Sequence, residues 1–95
     1  MRLSNSEIST IKQTILQQDN NVDLYLFGSR TNDNLKGGDI DILIIGETKP
    51  PLSVIRKIKI ALKEKLGDQK IDVVYQQNGK LSAFGELALI DAVKL

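Results

Sequence analysis

The sequence predicts an α/β (α+β) fold in which a small mixed β-sheet of three to four strands is packed with helices. Two observations carry that expectation. Helical and extended patterns succeed one another in the order α-β-β-α-β-α, and the strand that opens at Asp39 runs apolar on both faces beyond Asp41, to Ile45. A strand of that kind belongs in the middle of a sheet with both faces covered. At 95 residues the chain has room for one modest core, and residues 1–95 are expected to form one domain.

Each element has its own local cause. Ser4-Asn5-Ser6-Glu7 fits a capping box, and Ile8, Ile11, Ile15 and Leu16 follow at helical spacing, giving a first helix over about residues 5–18. Val22 to Phe27 reads as a strand that Gly28-Ser29 breaks, and Asp39 to Ile45 as a second. Pro50 and Pro51 open a helix whose buried stripe is expected at Leu52, Ile55, Ile58, Leu62 and Leu66, with Gly67 as its stop. Ile71 to Tyr75 is a third strand, Leu81 to about Ile90 a last helix with Leu81, Phe84, Leu87 and Leu89 expected in the core, and Val93 to Leu95 a short terminal strand.

Composition removes several chemistries. The chain has no cysteine and no histidine, so disulfides, thiolate or Ser-His-Asp catalysis and Cys- or His-ligated metals are excluded. Hard cations held by carboxylates remain possible. The net charge of +1 gives no basic field that would announce nucleic-acid binding, and no such binding is expected. Arg56, Lys57, Lys59, Lys63 and Lys65 read as a solvated helix face. No apolar run is long enough to span a membrane, and MRLSNSEIST lacks the apolar segment of a signal peptide, so a cytoplasmic location with no membrane partner is expected.

Against that background FGSRTNDNLKGGDIDIL, residues 27–43, stands out. Side chains alternate along a strand, so Asp39 and Asp41 project from one side, about 7 Å apart along the backbone. Two carboxylates so placed repel unless a cation lies between them, and with no His or Cys the fitting cation is Mg²⁺ or Mn²⁺. Asp72 is again an acid near the start of an apolar strand. If its strand neighbours that of Asp39, three carboxylates meet and can hold two metal ions, an arrangement suited to phosphoryl or nucleotidyl transfer. Gly28-Ser29-Arg30 follows a strand, and exposed N–H groups there, with the Ser29 hydroxyl and the Arg30 guanidinium, make a small anion site.

Gly-Ser, a short linker, then Asp-x-Asp, with a later acid on a strand, resembles the nucleotidyltransferases related to DNA polymerase beta. At this length, Phe-Gly-Ser-Arg and Gly-Asp-Ile-Asp-Ile-Leu are similar to the minimal nucleotidyltransferase (MNT) group, over nearly the whole chain. The resemblance implies the polymerase beta-like nucleotidyltransferase fold. It implies that Asp39 and Asp41 bind metal, that Asp72 is the third carboxylate and takes the proton of the attacking hydroxyl, and that Gly28, Ser29 and Arg30 grip the nucleotide's triphosphate. It further implies a Mg²⁺-dependent transfer of a nucleoside monophosphate, AMP from ATP, to a hydroxyl of a partner protein. MNT proteins are commonly paired with a helical HEPN-domain toxin, so a protein-adenylylating antitoxin is the implied role. The alternative is a non-catalytic module that binds nucleotide and neutralises the toxin by complex formation. The nine residues Arg30 to Gly38, where the family usually has ten, favour that alternative, and the intact trio of acids opposes it.

Overall fold

The computed structural model describes residues 3–28, 40–67 and 70–95. Helix α1 (Asn5–Gln18) is followed by strands β1 (Val22–Phe27) and β2 (Ile40–Gly46), helix α2 (Leu52–Leu66), strand β3 (Ile71–Gln77), helix α3 (Ala83–Asp91) and strand β4 (Val93–Lys94). The expected order is therefore present, including the terminal strand. The four strands make one sheet in the order β3-β2-β1-β4. β1 is antiparallel to both β2 and β4, whereas β2 and β3 are parallel and joined through α2. The sheet is thus mixed, with the most apolar strand inside it.

The helix ends follow their sequence signals. Ser4 Oγ accepts from the Glu7 backbone N–H at 3.1 Å while Glu7 Oε1 accepts from the Ser4 N–H at 3.0 Å, the reciprocal pair of a capping box. α2 starts directly after Pro51 and stops at Gly67, whose φ of 82° is one that residues with a Cβ avoid. Lys63 and Lys65 lie in its last turn, where the helix dipole favours positive charge. α3 begins at Ala83 and not at Leu81, because Ser82 is its N-cap and accepts from the Gly85 N–H at 3.1 Å.

Strand parity divides the sheet into two faces. Leu24, Leu26, Ile40, Ile42, Ile44, Ile71 and Tyr75 point to one face and form the main core with Ile11 and Ile15 of α1 and Ile58 and Leu62 of α2. Leu43 and Ile45 point to the other face and are also buried, as expected for a strand covered on both sides. α3 lies on this second face, with Phe84 against Phe27 and Gly85 against the Gln76 side chain. Two polar contacts fasten α1 to the rest. The Lys65 ammonium donates to the Oγ1 of buried Thr14 at 3.1 Å, and the Tyr75 hydroxyl donates to Asp19 Oδ2 at 3.0 Å. Lys65 is therefore tied to α1 and does not simply belong to a solvated face.

Some expected core positions are exposed. Leu52 is 65% exposed, so the buried stripe of α2 is carried by Ile58 and Leu62 with half-buried Ile55 and Leu66. At the first turn of a helix one side chain can point past the end of the sheet, and helical spacing alone cannot show that. Phe84 and Leu87 are likewise exposed, at 46% and 68%, while Leu81 and Leu89 are half-buried. Among the described residues no second helix lies beside α3 on its face of the sheet, so one side of the helix packs and the other is left exposed.

Candidate active site

The strand register brings the acids together. Asp41 of β2 is the direct partner of Asp72 of β3 in the parallel pair. Partners in register point to the same face from strands about 4.8 Å apart, so the two carboxyl groups stand side by side. Both are half-buried. They lie on the α3 face, at the end of the sheet where β2 and β3 begin and β1 ends. The expectation that the Asp72 strand neighbours the strand of the Asp-x-Asp motif is met.

The third member of this rung is Phe27, the antiparallel partner of Asp41 on β1. Its ring meets that of Phe84 edge-to-face, with centroids 5.7 Å apart and planes at 74°. Sequence reasoning passed over Phe27. Counting strand parity outward from the turn at Gly28 puts it on the same face as the acids, once an antiparallel pairing of the two strands is assumed.

Gly28 follows Phe27 with a φ of 79°. A Cβ placed on it would fall on the Asp41 carboxylate. The glycine is required twice here, by its backbone angle and by the side chain that fills the space beside it. Gly28 thus lies against the carboxylate of Asp41. Ser29, Arg30 and Asp39 lie outside the described residues.

The donor set suits a hard divalent cation such as Mg²⁺. Two carboxylates project from adjacent strands, neither imidazole nor thiolate exists in the chain, and the missing Cβ at Gly28 leaves room for the Asp41 carboxylate. Among the described residues no group of three acids comes together to hold a metal. Among them too, no helix is long and apolar enough to cross a membrane.

A strand-end glycine and a pair of acids on neighbouring parallel strands thus meet at one end of a small mixed sheet with helices on both faces. The family model described as "Polymerase beta, Nucleotidyltransferase" matches residues 9–88, from within α1 to within α3. The match therefore includes β1, Gly28, both acids and α2. No curated protein matches the chain. The protein belongs to the polymerase beta-type nucleotidyltransferase family.

Proposed function

We propose that the chain is a single-domain transferase that moves a nucleoside monophosphate, AMP from ATP, to a hydroxyl of a partner protein. The observation that carries this reading is the shared rung of Asp41 and Asp72 beneath Gly28. In the reaction the acceptor oxygen attacks the α-phosphorus, the bond from that phosphorus to the bridging oxygen breaks, and pyrophosphate departs with the bonding pair. Asp72 takes the proton of the attacking hydroxyl and passes it to solvent. Asp39, Asp41 and Asp72 would hold two Mg²⁺ ions, which when bound neutralise charge on the phosphates. Gly28, Ser29 and Arg30 would hold the triphosphate through backbone N–H groups, a hydroxyl and a guanidinium.

The acceptor is proposed to be a helical HEPN-domain protein, with the present chain as the antitoxin of a cytoplasmic toxin–antitoxin pair. Supporting this is the apolar surface of α3, where Leu87 and Ile90 are 68% and 73% exposed one and two turns beyond Phe84. A patch of that kind is where a protein partner is expected to rest.

The test is incubation of the protein with ATP labelled at the α-phosphate, Mg²⁺ and a HEPN-domain protein encoded beside it. Label should pass to the partner and should not pass with Asp41→Asn. A stable complex without labelling, unchanged by Asp41→Asn, would replace the enzyme with the binding module.

A further inference from the structure

We propose that Phe84, braced by Phe27, is the stacking platform for the nucleobase of the bound nucleotide. This rests on the nucleotide reading of the site given above and adds to it the part of the ligand that the acids and Gly28 do not address.

Three observations converge. Phe27 stands on the same rung as Asp41 and points to the same face of the sheet. Cross-strand partners have Cβ atoms about 5 Å apart. The Phe84 ring begins one ring contact further on, at 5.7 Å between centroids, which puts it on the order of 10 Å from the carboxylate. A ribose bridges about that gap between an α-phosphate and its base. Finally, Phe84 is 46% exposed although the Phe27 edge-to-face contact fixes one of its sides. A large aromatic ring supported on one side by a neighbour, half open to solvent and beside the proposed phosphate-handling centre, is what base stacking needs.

Composition narrows the choice. The chain has no tryptophan, two tyrosines and two phenylalanines. Tyr75 is buried on the opposite face of the sheet, and Tyr25 is half-buried one rung pair further from the strand end than Phe27. Phe84 is the exposed aromatic residue at the acid end of the described structure. A π-face reads no hydrogen-bonding edge, so this platform accepts any base and favours purines by their larger stacking area.

Binding is measured by calorimetry, in Mg²⁺, of ATP, GTP, CTP and inorganic triphosphate to the wild type, Phe84→Ala and Phe84→Tyr. Phe84→Ala should weaken ATP and GTP by about ten-fold or more, CTP by less, and leave inorganic triphosphate unchanged. Phe84→Tyr, which keeps the aromatic face, should restore the purine nucleotides, and the unchanged inorganic triphosphate separates base stacking from a general loss of packing. If ATP binds the wild type and Phe84→Ala alike, the platform is wrong and the nucleotide site stands. If the wild type binds neither ATP nor inorganic triphosphate, the nucleotide reading itself fails and takes the platform with it. Loss of self-association or of a protein complex in Phe84→Ala, with ATP affinity intact, would assign the ring to a protein interface instead.

Discussion

Asp41 and Asp72 are register partners on parallel strands, two acids facing the same way across one strand spacing. Like charges so placed oppose folding in the absence of a cation, and a bound divalent ion reverses the sign of that contribution. Asp72→Asn is therefore expected to raise the melting temperature of the metal-free protein slightly while removing most of the stabilisation that Mg²⁺ gives the wild type. Thermal denaturation with EDTA and with millimolar Mg²⁺ reads both effects. An unchanged Mg²⁺ shift in the variant would remove Asp72 from the metal site. In the transfer assay the proposed role of Asp72 as proton acceptor and metal ligand predicts a loss of at least about a hundred-fold for the same variant.

Gly28→Ala combines a strained backbone with a collision. The positive φ costs about 1 kcal/mol or more for a residue with a Cβ, and the new methyl displaces the Asp41 carboxylate. Folding stability should fall by about 1–3 kcal/mol in urea titrations, and Mg²⁺–ATP binding should fall further than stability alone explains. If affinity is kept while stability drops, the glycine serves only the turn.

Tyr75 gives the protein an alkaline limit. Its hydroxyl is pushed up to about 12, first by burial, then by donating to Asp19 and by that carboxylate's charge. A folded-state value above the unfolded 10 means that the associated stability is complete below pH 10 and is lost as pH rises towards 12. The loss should amount to about 2–3 kcal/mol at most. Tyr75→Phe should be less stable than the wild type at neutral pH, for want of the hydrogen bond, and should show a weaker fall above pH 10. Urea midpoints at pH 8, 10 and 11.5 for the two proteins make the comparison, and parallel curves would dismiss the tyrosine as the cause.

Leu43 and Leu87 separate core from surface on the α3 side of the sheet. Leu43→Ala removes a fully buried side chain and should cost about 2–5 kcal/mol. Leu87→Ser changes a side chain that is mostly in water and should stay within about 0.5 kcal/mol of the wild type. Chemical denaturation decides both, and a large loss with Leu87→Ser would mean that α3 packs through the opposite side.

The sequence disclosed the parts of this molecule whose causes are local. Ser4 and Glu7 named the start of α1, Gly67 the end of α2, and the apolar run of β2 beyond Asp41 its central place between two packed faces. Asp72 could be brought near the Asp-x-Asp motif on the condition that their strands are neighbours, since each acid lies near the start of an apolar strand. The register then makes Asp41 its partner. What stayed hidden depends on which neighbour happens to be near. Leu52, Phe84 and Leu87 have the spacing of core residues, but no periodicity reports which side of a helix its neighbours will leave uncovered. The Tyr75–Asp19 contact joins residues far apart in the chain with nothing local to betray it. The Phe27–Phe84 pair was equally invisible, since it needs both the β1–β2 register and the placement of α3.

β4 offers the sheet's outer edge very little for another chain to grip. It is two residues long, pairs with β1 at Tyr25 and Leu26, and carries Lys94, whose ammonium lies 3.4 Å from Asp23 on the strand it covers. A longer apolar strand in that place would be a template for edge-to-edge growth, the first step of fibrillar aggregation. By occupying the margin of β1 with a short, charged segment, the fold blunts that hazard on one side of the sheet.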